Sequence, residues 1–195
     1  MRILVACEFS QIVTKAFRDK GHEAYSCDLI PTEGNPEWHI QGNVLKYISD
    51  NWDMMIAFPP CTYLCNSGVR WLYERPDRWD LMKDACIFFN RLLDANINYI
   101  AVENPIQHSW ARQLIRPCDQ IIQPYYFGDK ERKATCLWLK NLPPLIAQFS
   151  GGEDIKQSIF HTPPGKERWR KRSKTFNGVA RAMAEQWSNL RDTRS

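Results

Sequence analysis

Asp53-Met-Met-Ile-Ala-Phe-Pro-Pro-Cys61-Thr-Tyr-Leu-Cys-Asn-Ser-Gly68 is the stretch on which the fold turns. Met54 through Phe58 run apolar without alternation, the pattern of a central parallel strand covered on both faces. Pro59 and Pro60 stop it, since neither donates to a ladder and Pro60 biases Pro59 away from helix. Cys61 is therefore presented where the chain leaves the sheet, and in open α/β sheets ligands bind just outside the carboxyl ends of the strands. A second short apolar run, Asn98-Tyr-Ile-Ala-Val-Glu-Asn-Pro105, ends in a carboxylate, an amide and a proline. If the two strands are parallel neighbours, Cys61 and Glu103 emerge at one edge and face one substrate. Taken singly, a cysteine is more often an inert core residue and a strand-end glutamate a solvated one. Together they read as a nucleophile and an acid.

Working outward, Arg2 to Cys7 reads as a first strand, followed by a turn into a helix over 10–20. Ser10 is the expected N-cap, and Gly21 ends the helix. Glu23 to Cys27 is a second strand reaching Asp28, which either holds a ribose hydroxyl or caps the next turn. Pro31 to Ile40 is a polar loop, and Gln41-Gly-Asn-Val44 a turn. Thr62 to Pro76 mixes Arg70, Trp71, Tyr73 and Arg75, either a surface that stacks on a base or a lid packed on the core. Asp77 to Ala95 is an amphipathic helix. Ile106 to Arg116 is expected to be another, Cys118 to Pro124 a short strand, and Gln148 to Phe160 a loop. Lys166 to Lys174 is the densest basic run, holding six cations and a tryptophan. It reads as a phosphate contact or as a solvated face. Gly178 to Trp187 is a closing helix.

The chain has 195 residues, 44% of them hydrophobic and 25% charged, the scale and balance of one globular domain spanning 1–195. No run is long enough to cross a membrane, and the N-terminus is acidic too early for a signal peptide. Seven cysteines without a small-scaffold spacing favour a reduced, cytoplasmic compartment over a disulfide framework. Cys61 and Cys65 are four apart with no second ligand pair at zinc spacing, so no metal site is expected. A formal charge of +4 permits a nucleic-acid partner without demanding one.

Pro-Pro-Cys at 59–61 followed by Glu-Asn-Pro at 103–105 resembles the Pro-Cys and Glu-Asn-Val motifs of DNA cytosine-C5 methyltransferases, and most closely small phage- or prophage-type members. The resemblance implies an α/β, Rossmann-like class I S-adenosylmethionine-dependent methyltransferase fold: a mainly parallel seven-stranded sheet with helices on both faces. It implies Cys61 as the nucleophile, Glu103 as the acid, Asn104 as the residue that positions their loop, and Arg132 or Lys133 as a cation beside the pyrimidine. Through the same likeness S-adenosylmethionine would lie along Cys7, Glu8, Phe9 and Ser10, then Asp28 and Leu29, Asn43, Pro59 and Val179. DNA, or a pyrimidine nucleotide, would be held by Arg70, Arg168, Arg170, Lys171, Arg172 and Lys174. Three departures stand out. The turn after the first strand has no glycine, Asn43 stands where an acid is usual, and the large target-recognition region is missing between Trp138 and Gly178. These departures keep two rivals open, a C5-modifying enzyme of free nucleotides and a degenerate fold used for binding.

Overall fold

The computed structural model describes residues 1–150, 155–158, 165 and 168–190. Seven strands form one sheet: β1 (Arg2–Ala6), β2 (Glu23–Asp28), β3 (His39–Gln41), β4 (Met54–Ala57), β5 (Tyr99–Pro105), β6 (Gln120–Ile122) and β7 (Thr135–Lys140). Their order is β3-β2-β1-β4-β5-β7-β6. The first five pair in parallel, and β7 runs antiparallel between β5 and β6. This is the expected Rossmann-like, mainly parallel class, with its switch point between β1 and β4, where the chain order reverses.

Alternation along the strands sorts the core into two layers. Leu4, Met55, Ile100 and Val102 pack with Phe89 and Leu92 of α3 (Arg78–Leu93) on one face. On the other, Ile3, Val5, Ile56 and Ala101 meet Val13 and Phe17 of α1 (Ile12–Arg18) and Met183 and Trp187 of α5 (Asn177–Trp187). All four residues of β4 are fully buried because both faces are covered, which is why its sequence shows no period of two.

Two local expectations are corrected. Ser10 is not the cap of α1. Gln11 takes that position in left-handed backbone, and the helix is capped by Glu8, whose Oε1 accepts from the Val13 amide at 2.7 Å and Oε2 from the Thr14 amide at 3.2 Å. Ile106 to Arg116 is not a helix but a loop with one 3-10 turn, Ala111–Gln113. His108 explains it: its amide donates to the Leu64 carbonyl and its Nε2 to the Tyr63 carbonyl, tying the segment to the Cys61 loop. Nδ1 accepts from the Ala111 amide, which leaves the ring proton on Nε2. The Thr62 to Pro76 loop contains a 3-10 turn, Asn66–Gly68, and one helical turn, α2 (Trp71–Glu74). Lys166, Glu167 and the Gly151-Gly152 pair lie outside the described residues.

The start of α5 has no room for a side chain at Gly178. A Cβ there would stand 2.2 Å from the Phe127 carbonyl oxygen and 2.5 Å from Asp129 Oδ2, which accepts the Gly178 amide. Because one obstacle is backbone, Gly178→Ala is expected to cost roughly 1–3 kcal/mol, the overpacking range. Urea denaturation checks it; an unchanged midpoint would show that α5 shifts freely.

Candidate active site

β4 and β5 are adjacent and parallel, with Ala57 opposite Val102, so the residues that follow them leave the sheet at one edge. After β4 the chain reaches Cys61, whose carbonyl accepts from the amides of Leu64 at 3.0 Å and Cys65 at 3.1 Å. That helical turn follows directly on the two prolines. Asn104 anchors it: its Nδ2 donates to the Pro59 carbonyl at 2.8 Å, while its buried Oδ1 has no partner among the described residues. Asn104 and the buried Pro59 thus tie the two motifs together.

Glu103 is partly buried, and burial holds its carboxyl above the usual carboxylate range; Lys133 and a hydrogen bond from Thr135 act against the shift without reversing it. Glu103, Lys133 and Thr135 line a narrow cleft with Lys174, Phe176 and Val179. Lys133 lies in electrostatic reach of both Glu103 and Cys61. Its Nζ donates to the Arg172 carbonyl at 3.2 Å. Of the two cations read from the basic loop, Lys133 is the one in the cleft. Arg132 is exposed and its amide bonds Lys156, so its side chain is not a lining residue.

Cys61 lies within electrostatic reach of Glu103. The thiol is pushed up, first by its hydrogen bond with Cys65, then by burial and the Glu103 charge, with Lys133 opposing. Cys65 is held down chiefly by the same hydrogen bond; Ser67 Oγ lies 3.0 Å from its sulfur.

Around the expected cofactor positions the picture divides. Glu8 and Phe9 are buried, Glu8 spent on α1 and Phe9 under Trp169, at 5.8 Å between ring centroids. Asn43 Oδ1 accepts the Leu45 amide at 3.0 Å, so this side chain closes a turn, as the plain reading of Gly-Asn had it. Ser10 donates to Glu8 at 3.4 Å. Cys7 and Gln11 have φ of 59° and 58°, the left-handed region that glycine normally supplies. Left-handed backbone therefore stands in the turn after β1 without glycine, at roughly 1 kcal/mol per residue. Asp28 closes β2 with Oδ1 on the Ile30 amide at 3.2 Å, and Leu29 beside it is 71% exposed. A carboxylate followed by an open apolar side chain at the carboxyl edge suits a nucleoside, and with that turn the residues fit S-adenosylmethionine.

In the structure several cations of the basic run have partners within the protein. Residues Arg168–Ser173 form a short helix, α4, that folds over the first turn. Arg170 Nε pairs with Glu33 at 2.8 Å and its guanidinium lies 5.5 Å over Phe9, while Lys174 pairs with the same Glu33. Arg172 gives its carbonyl to Lys133, Lys171 is exposed, and Arg168 Nε is buried without a partner among the described residues. Arg70, across the site, stacks 4.5 Å over Trp71 and lies 4.0 Å from Glu74. Glu33, Cys65 and Thr135 escaped the sequence reading. Only Cys65 carried a signal, its four-residue spacing from Cys61.

Among the described residues no helix is long and apolar enough to cross a membrane. No protein-family model and no curated protein matches this sequence. Among solved structures, the chain is similar to a candidate DNA modification methyltransferase encoded within a prophage (E. coli), with 12% identity over 70% of this chain and a TM-score of 0.42. The chain spans 45% of the length of that protein.

Proposed function

We propose that this protein is an S-adenosylmethionine-dependent methyltransferase acting at C5 of cytosine in DNA. What supports the reading is that Cys61 follows β4 and Glu103 stands near the end of the adjacent parallel β5, with Lys133 in electrostatic reach of both. C5 of a pyrimidine is a poor carbon nucleophile. A sulfur adding at C6 makes C5 enamine-like, and a proton delivered to N3 offsets the charge that develops. Glu103, whose carboxyl burial holds above the usual carboxylate range, is the donor at N3. Asn104 keeps the loop of Cys61 in register with Glu103, and Lys133 supplies positive charge near the ring carbonyl. Asp28 and Leu29 would hold the nucleoside part of S-adenosylmethionine, with the turn at Cys7 beside it. When bound, that cofactor supplies the methyl group as a sulfonium. A base in a duplex must leave the stack to reach Cys61.

The test uses cytosine DNA tritiated at C5 together with S-adenosylmethionine. Release of tritium to water with matching methyl incorporation is the expected result. Loss of neither label with DNA or with free cytidine nucleotides would sink the assignment.

One observation favours the second reading, a free pyrimidine nucleotide: Glu33 occupies two of the cations that phosphates would use. This leads to a separate expectation. Glu33→Gln should release Lys174, strengthen duplex binding and steepen the fall of log affinity with log salt by roughly 0.9. Anisotropy of a labelled duplex over a salt series measures it. A slope unchanged by the substitution would mean that α4 does not contact phosphate.

A further inference from the structure

The segments on either side of the Cys61 loop present an aromatic cluster at the surface that the proposed reaction leaves unused. Tyr73 of α2 is 67% exposed. Its ring stands edge-on to Trp79 of α3, with centroids 5.9 Å apart, and Trp79 is edge-on to Trp110 at 5.3 Å. Trp110 Nε1 donates to the Tyr73 hydroxyl at 3.0 Å and closes the triad. Two bonds fix this cluster beside the candidate nucleophile. Arg78, the neighbour of Trp79, donates from Nη2 to the Thr62 carbonyl at 3.2 Å, and its guanidinium lies 4.7 Å over the Tyr63 ring. His108, two residues before Trp110, bonds the Tyr63 carbonyl at 3.0 Å. Thr62 and Tyr63 are the residues that follow Cys61.

Local ion pairs use up the acids of this stretch. Glu74 lies 4.0 Å from Arg70, Asp77 pairs with Arg75 at 3.2 Å and Asp80 with Lys83 at 3.1 Å. Arg78 and the exposed Arg112, two residues beyond Trp110, face no acid among the described residues. Exposed rings beside unneutralised arginines suit a strand whose bases offer flat faces and whose backbone is anionic. We propose that Tyr73, Trp79 and Trp110 form a stacking platform for an unpaired nucleic-acid strand, which holds the bases next to the one at Cys61, with Arg112 on a phosphate. A duplex hides its base faces inside the stack, so only an unpaired strand can lay them on these rings. The inference deepens the methyltransferase reading by naming the form of DNA that is bound. It rests on that reading for what the strand delivers to Cys61, and on the triad's own geometry for the contact.

The experiment follows the anisotropy of a labelled oligodeoxynucleotide without self-complementarity, alone and annealed to its complement, over a salt series. Tyr73→Ala is expected to weaken binding of the single strand by roughly 5- to 150-fold, the loss of one stacked base. Its slope of log affinity against log salt should not change, because the ring carries no charge. The annealed duplex should bind wild type and variant alike. Tyr73→Phe keeps the ring and should stay close to wild type.

Should Tyr73→Ala fail to fold, Arg112→Gln decides. It should make the single-strand slope shallower by roughly 0.7, the share of one phosphate contact, and an unchanged slope overturns the platform. A wild type that binds no single strand at low salt overturns it too. So does a Tyr73→Ala loss of equal size on strand and duplex, or no loss at all; the triad then belongs to a protein contact or to the packing of the loop. Strand binding that depends on Tyr73, in a protein that methylates no cytosine substrate, would keep the platform and remove the proposed reaction. Methylation of cytosine DNA by a protein whose strand affinity ignores Tyr73 would do the reverse.

Discussion

Cys61→Ser is expected to lower kcat for methyl transfer by about 10³-fold or more, which corresponds to roughly 4 kcal/mol or more of transition-state stabilisation. The hydroxyl is nearly isosteric with the thiol, yet at neutral pH it offers far less anion and a weaker nucleophile. Burial and the Glu103 charge, which already push the thiol up, would oppose an alkoxide at the same place. The surroundings predict little structural change, because the turn is held by backbone bonds from Leu64 and Cys65 and by Asn104 on Pro59, none of which uses the sulfur. Cofactor binding, followed by calorimetry, should therefore stay close to wild type while turnover vanishes. A companion measurement uses a substrate with fluorine at C5. It cannot lose a proton there, so the wild type should remain covalently attached on a denaturing gel and the variant should not. A Cys61→Ser protein that still transfers methyl groups at more than a tenth of the wild-type rate would transfer the nucleophile's role elsewhere.

Glu103→Gln should also remove most of the activity, by about 10²–10⁴-fold, the range for a positioned general acid. The amide keeps the shape and a donor but has no proton to give to N3. This substitution carries a pH signature of its own. Burial raises the folded Glu103 above its ordinary value of 4.5, and Lys133 and Thr135 only moderate the rise. The folded protein therefore holds more protons than the unfolded chain between that value and the folded pKa. Stability contributed by the group is full below about 4.5 and is lost as pH rises through the folded pKa. Wild-type turnover should fall over the same upper range as the acid loses its proton. Glu103→Gln lacks the penalty, so its Tm should exceed that of wild type at neutral pH, and the gap should close toward pH 4.5. A variant less stable than wild type at pH 7 would mean that Glu103 is ionised in the folded protein and paired with Lys133.

Much of this site was legible without coordinates, and the reason is local. A strand buried on both faces needs an unbroken apolar run, and Met54 to Ala57 has one; paired prolines must end it, and Cys61 follows. Glu103, Asn104 and Pro105 are the last residues of β5, still paired with β7, and the parallel pairing of β4 with β5 brings both motifs to one edge. Other readings failed where a distant group outweighed a local preference. Ser10 has the chemistry of a cap, but Glu8 reaches the same amides from inside the fold. Ile106 to Arg116 has a helical composition, yet the bonds from His108 to Tyr63 and Leu64 hold it to the Cys61 loop. The missing glycine pointed to a changed turn, whereas Cys7 adopts the left-handed backbone regardless.

The sequence by itself thus determined the parallel α/β class and the edge from which Cys61 and Glu103 emerge. These follow from period, strand-ending prolines and residue chemistry, all of which act within a few positions along the chain. Only the tertiary structure decided which groups carry charge and which are spent. Glu33 takes Arg170 and Lys174 across more than 130 positions of chain, and Lys133 rather than Arg132 enters the cleft. The strength of a charge depends on burial and on the nearest opposite charge, and both are properties of packing in three dimensions that no window of sequence contains.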